Sequence, residues 1–193
     1  MKPNETALIF IEFQNDFCKE GGKLYSLVEP ELKRNQTIAN AVRLLEKGHA
    51  GGYKIIHCPF TLDKEWIREH DCDGLLPGLY DGDVFQPGTW GHEIIEELKP
   101  RDGEIVLEGK RTLSGFSHTN LGHLLQFASI KNVVICGFLT NICVQATAWS
   151  AYDAGYRVRL VPCACAAANE ELQRYVEDQV VPMLGGAITP DEL

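Results

Sequence analysis

The sequence predicts an α/β protein, a doubly wound and mostly parallel six-stranded sheet with helices on both faces. Apolar strand-like runs alternate with helix-spaced segments along the whole chain. Most of the runs are apolar at successive rather than alternate positions, which marks strands buried on both faces. Parallel strands joined through helices cross over right-handedly, so a doubly wound sheet is the default. At 193 residues, 45% of them hydrophobic and 23% charged, the chain has the size and composition of one globular domain spanning residues 1–193.

Thr6 to Glu12 is a continuous apolar run closed by a carboxylate. Residues 29–47 place Leu32, Ile38, Ala41, Val42 and Leu45 on one helical face, with Gly48 as the stop. Tyr53 to Cys58 is a second strand, closed by Pro59. Residues 60–90, rich in Gly, Pro and Asp and holding Trp66, Tyr80, Phe85 and Trp90, break the alternation and read as a long lid, binding or interface loop. Ile94 to Leu98 is a short helix ended by Pro100, and Glu104 to Leu107 a third strand. Thr119 to Phe127 is a helix with Ser117 as its cap. Asn132 to Gly137 is the fourth strand, and Asn141 to Ala154 a helix capped by Thr140 or Asn141 and stopped at Gly155. Tyr156 to Val161 is the fifth strand, Asn169 to Leu184 a helix, and Ala187-Ile188 the short sixth strand.

The net charge of −9, with no Lys/Arg cluster, excludes a nucleic-acid surface and disfavours an anionic membrane. No apolar run approaches the roughly 20 residues that cross a bilayer, and the polar Met1–Thr6 start carries no signal-peptide pattern. Seven cysteines, odd in number and without framework spacing, are expected as free thiols in a cytoplasmic protein.

Ligands of a doubly wound sheet bind outside the carboxyl ends of its strands. Three chemically active residues follow strands: Glu12 the first, Lys110 the third and Cys143 the fourth. Cys143 falls in the first turn of a helix, where the dipole and free N–H groups favour an anion. Its thiol is therefore expected to ionise below the usual value of about 8.5. A lysine beside a thiol favours the thiolate and a carboxylate accepts its proton. Taken singly, each has a plainer reading: a space-filling cysteine, a solvated loop carboxylate, a surface lysine.

At these residues the chain resembles the isochorismatase-like cysteine hydrolases. The matching stretches are Ala-Leu-Ile-Phe-Ile-Glu-Phe-Gln-Asn-Asp-Phe at 7–17, Gly-Lys-Arg-Thr-Leu-Ser-Gly-Phe at 109–116 and Gly-Phe-Leu-Thr-Asn-Ile-Cys-Val-Gln-Ala-Thr-Ala at 137–148, followed by Tyr-Asp-Ala-Gly-Tyr-Arg-Val at 152–158. The resemblance implies a Rossmann-like sheet and a carboxylate-Lys-Cys triad that cleaves C–N bonds of small amides through a covalent acyl-enzyme. Carried over, Cys143 is the nucleophile, Lys110 stabilises negative charge and Glu12 is the base. The family usually has Asp at this third position. The extra methylene moves the carboxylate by about a bond length, and misplacement on that scale costs up to roughly 10²-fold in rate. The role still requires only a carboxylate within reach. The resemblance also implies a cis peptide at Phe138-Leu139, which aims the Leu139 N–H, with that of Cys143, at the substrate oxygen as an oxyanion hole.

Gln14, Phe17, Trp90 and Phe116 are candidate substrate-binding residues, with Asn15 and Trp149 beside them; packing and turn chemistry are the competing roles. Ligand spacing gives little support to a zinc site from His57, Asp63, His70 and Cys72, so neither metal nor cofactor is expected. The residues leave two readings: a metal-independent cysteine amidohydrolase acting on a small molecule, with homo-oligomers the family habit, or a catalytically silent binding or assembly module.

Overall fold

A computed structural model describes residues 1–193. In chain order the elements are β1 (Thr6–Ile11), α1 (Asn15–Cys18), α2 (Tyr25–Arg34), α3 (Thr37–Gly51), β2 (Lys54–Cys58), α4 (Lys64–Glu69), α5 (Leu75–Asp81), β3 (Ile105–Val106), α6 (Leu121–Phe127), β4 (Asn132–Phe138), α7 (Gln145–Asp153), β5 (Arg157–Ala166), α8 (Glu170–Tyr175) and α9 (Val181–Leu184). The sheet order is β3-β2-β1-β4-β5, and every pairing is parallel. β1 and β4 are buried at every position, as their unbroken apolar runs require, and they form the centre of one core of 44 residues. The order reverses between β1 and β4, so the switch point lies where Glu12 and the Cys143 turn emerge.

The sheet has five strands, not six. Ala187 makes a single bridge to Leu160, and the backbone cannot extend it: Gly185 and Gly186 adopt φ of 130° and 107°, and Pro190 follows. The fifth strand runs further than expected, through Cys163 and Cys165, across an irregularity opposite Ile135–Gly137. The helix expected over 29–47 is two, α2 and α3, separated at Gln36, whose φ of 50° is left-handed. The region 60–90 contains α4 and α5; the Asp63 carboxylate caps α4 by accepting from the Trp66 N–H at 2.9 Å. The final helix is interrupted by a wider π turn over Val176–Val180. Ser117 does not cap α6; the Thr119 hydroxyl accepts the Leu121 N–H instead.

Beside the edge strand β3, His57 on β2 stacks on Phe10 (5.6 Å) and holds Glu104 at 2.6 Å through Nε2, while Nδ1 has no partner. His49 approaches the other Glu104 oxygen at 2.7 Å, and the Arg101 N–H donates to Glu104. Burial lowers the His57 pKa below 6.5, against the opposing pull of Glu104. A depressed imidazole leaves the extra proton to the unfolded chain, so stability falls as pH drops below about 6.5. The urea midpoint is expected to be lower at about pH 5 than at neutrality, with a smaller difference in His57→Gln.

Candidate active site

Glu12 stands one residue beyond β1, with a left-handed φ of 56°. Its N–H donates to Cys58 O at 3.1 Å and its carbonyl accepts from the Gln14 N–H at 2.7 Å. These bonds over-determine a conformation that costs a non-glycine residue about 1 kcal/mol or more. On the neighbouring strand, Gly137 has φ 128°, and a Cβ there would lie 2.0 Å from Ile11 O. Only glycine lets β4 close against β1 at the site. The Phe138–Leu139 peptide that follows is cis.

The nucleophile turn departs from the expected cap. Thr140–Val144 is a π turn ahead of α7, and neither Thr140 nor Asn141 caps it with a side chain. The Thr140 hydroxyl instead donates to Gln173 Oε1 at 2.7 Å, and the same oxygen accepts the Ala167 N–H at 3.1 Å. Gln173, fully buried on α8, thereby ties the turn to the end of β5; one glutamine in an amphipathic helix gives no sequence signal for that role. The lysine-bearing loop is tied to α7: the Gly115 N–H donates to Thr147 Oγ1 at 2.9 Å and the Ser114 hydroxyl to Ser150 Oγ at 2.8 Å.

Glu12, Lys110 and Cys143 meet in one buried place. They are 2%, 0% and 6% exposed. The Lys110 ammonium bonds the Glu12 carboxylate and donates to Thr112 O at 2.9 Å, and the Phe60 ring lies 4.8 Å from it. Burial disfavours the ammonium, but the negative charge of Glu12, with Cys143 beyond it, more than offsets this and holds the Lys110 pKa above its usual value. The expectation of an easily ionised thiol is reversed. Burial pushes the Cys143 pKa well above 9.0; the adjacent Glu12 carboxylate pushes it the same way, by its charge and by accepting the thiol hydrogen, and Lys110 opposes them. A helix terminus contributes a fraction of a charge. Burial, with the whole charge of the Glu12 carboxylate beside it, therefore favours the neutral thiol against both Lys110 and the helix terminus. Cys58, whose carbonyl supports Glu12, is pushed up to about 12 by burial.

The other sequence candidates fall in different places. The Gln14 amide is fully committed to backbone: it donates to Phe60 O (2.9 Å) and His92 O (2.8 Å) and accepts from the Phe60 N–H (2.7 Å). Phe17 is buried between Phe85 and Phe138, each 5.2 Å away. Trp90 is 50% exposed and its carbonyl takes the Asn15 side-chain N–H. Phe116 is half-buried beside Tyr156, and Trp149 packs edge-on to Tyr152. The four residues weighed as zinc ligands do not converge: His57 faces Glu104, Asp63 pairs with Arg111 at 2.9 Å, and His70 stacks on Trp66 at 4.4 Å.

A family model described as Isochorismatase domain matches residues 6–192. Ureidoacrylate amidohydrolase RutB of Rhizobium rhizogenes (strain K84) is 30% identical over 169 residues, covering 81% of this chain and 68% of that protein. Among solved structures, N-carbamoylsarcosine amidase from Thermoplasma acidophilum superposes with a TM-score of 0.75 at 27% identity, covering 98% of each chain. A cysteine hydrolase from Pseudomonas syringae pv. phaseolicola 1448A has a TM-score of 0.87 at 22% identity over 100% of this chain and 92% of that one, a likeness of fold.

Proposed function

The chain belongs to the isochorismatase family, and on that premise we propose that it is a metal-independent cysteine amidohydrolase that cleaves a C–N bond of a small carbamoyl or ureido compound. The observation that carries the reading is the buried meeting of Glu12, Lys110 and Cys143 at the switch point of the sheet. The substrate class is supported by the named activities of the relatives, ureidoacrylate amidohydrolase and N-carbamoylsarcosine amidase.

In this reading Cys143 keeps its proton until substrate arrives. As Sγ attacks the carbonyl carbon, the thiol proton passes to Glu12 and the carbonyl π pair moves to oxygen. The Leu139 and Cys143 N–H groups receive that oxyanion. Collapse expels the amine, which takes the proton from Glu12 and leaves a thioester on Cys143. Water then gives a proton to Glu12, attacks the thioester and releases the acid, and the proton returns to sulfur. Lys110 stays charged throughout and holds the Glu12 carboxylate in place. Glu12 serves where the family usually has Asp because the Lys110 partner and the left-handed backbone fix its longer arm.

Residues 1–193 act as one domain with no resident metal or cofactor, in the cytoplasm, as a homo-oligomer. No helix is long and apolar enough to cross a membrane. Phe127, 94% exposed, and the half-exposed Tyr152 on α7 supply apolar surface for subunit contact. Gln14 and Phe17 support the site from behind, Gln14 through Phe60 and Phe17 through Phe138. A panel of small ureas, N-carbamoyl amino acids, carbamates and amides tests the reading. The expected result is hydrolysis of at least one carbamoyl compound with a transient acyl adduct on the Cys143 peptide by mass spectrometry. Hydrolysis without an adduct, undiminished in Cys143→Ala, contradicts it.

A further inference from the structure

Lys110 is a buried ammonium whose surroundings are only partly hydrogen-bonding. Glu12 and Thr112 O take two of its three N–H directions, and the Phe60 ring lies against it at 4.8 Å. Phe60 is 1% exposed and packs on Phe85 at 5.6 Å. Its backbone is held from both sides by one side chain, since the Gln14 amide accepts from the Phe60 N–H and donates to Phe60 O. Gln14 follows Glu12 by two residues, so the strand end that carries the carboxylate also fixes the ring that covers its ammonium partner. The next two residues add to the hold on the same segment: Asn15 bonds Trp90 O, and Asp16 accepts the Phe85 N–H at 2.7 Å.

We propose that Phe60, fixed by Gln14, is a positioning residue that seals the Lys110 ammonium from water and through it sets the reactivity of Cys143. The proposal rests on reading Cys143 as the nucleophile. An aromatic face satisfies a cation without supplying water. In the absence of water the charges of Lys110 and Glu12 act on the sulfur with little screening. Opening the seal hydrates the centre. Burial is the largest cause holding the thiol in its neutral form, so hydration makes that thiol both more accessible and more acidic. Gln14 thus acts on the chemistry without meeting a ligand.

Alkylation by iodoacetamide, read cysteine by cysteine with mass spectrometry across pH, tests this without a substrate. Cys18, Cys136 and Cys165 are buried elsewhere and report general loosening. In Phe60→Leu the labelling rate of Cys143 at neutral pH is expected to rise about tenfold, with its pH midpoint lowered, while those three stay protected. Gln14→Asn, whose amide is too short to span the same partners, is expected to give the same pattern, and Phe60→Tyr to stay near wild type. An unchanged Cys143 rate in Phe60→Leu, a parallel rise at all four cysteines, or no rescue by Tyr overturns the proposal. The reading of Cys143 as nucleophile fails by a different result, retained turnover in Cys143→Ala, so the two are separable.

Discussion

Cys143→Ala is expected to abolish hydrolysis of every carbamoyl or amide compound that the wild-type protein accepts, by a factor on the order of 10⁶, while leaving the fold intact. Without Sγ no thioester forms, and water must attack an unactivated amide directly. What survives the substitution is the Glu12–Lys110 pair, which cannot replace the sulfur as a nucleophile. The structural cost is small. The thiol is one small side chain at the core margin, and its loss costs about 1 kcal/mol, or roughly 2–4 °C in Tm for a chain of this length. A melting measurement beside the assay separates lost chemistry from lost structure. Turnover within tenfold of wild type in a folded Cys143→Ala variant removes the covalent mechanism.

Glu12→Gln is expected to give an unusual pair of effects: less turnover and a more acidic thiol. The amide keeps the shape and one acceptor for Lys110 but cannot take a proton. Loss of a general base at this step lowers kcat/KM by roughly 10²–10⁴-fold. The substitution also deletes a negative charge and a hydrogen-bond acceptor that favour the neutral thiol, leaving Lys110 to favour the thiolate. Cys143 should therefore ionise at lower pH in the variant. The signs follow from the shift itself: a thiol raised by a neighbouring anion is protonated across neutrality, and removing the anion moves its titration down. The acidified thiol reports the nearness of the Glu12 charge, and lost turnover at an unchanged Tm reports its role as base. Asp in the same position, one methylene shorter, loses reach to Lys110 on the scale that costs up to about 10²-fold.

The central strands were legible because β1 and β4 are apolar on both faces, a pattern that a parallel sheet buried under helices demands. That same reading placed residues 12, 110 and 143 at strand ends, and the fold brings them together. The protonation of Cys143 was not legible. A helix terminus can be inferred from local sequence, but the burial that raises the thiol, and the Glu12 carboxylate that adds to it from 131 positions earlier in the chain (143 − 12), act only once the sheet is formed. Gln14 shows the same limit: an amide after a strand reads as a ligand contact, and only the return of Phe60 and His92 reveals that its hydrogen bonds are already made. The helices α4 and α5 were hidden because each is under eight residues and set among Gly, Pro and Asp, where helical periodicity has no room to show. The supposed sixth strand failed for backbone reasons, two consecutive glycines in left-handed conformation ahead of it.

Thiolate absorbance in the ultraviolet, titrated for the wild-type protein and for Glu12→Gln with the matching Cys143→Ala backgrounds subtracted, tests the resting state most directly. The expected wild-type curve shows Cys143 protonated through neutrality and ionising only well above the ordinary thiol range, and the Glu12→Gln curve is displaced to lower pH. A wild-type thiolate already formed at about pH 7, and unmoved by the substitution, would contradict a neutral thiol poised beside a carboxylate–ammonium pair.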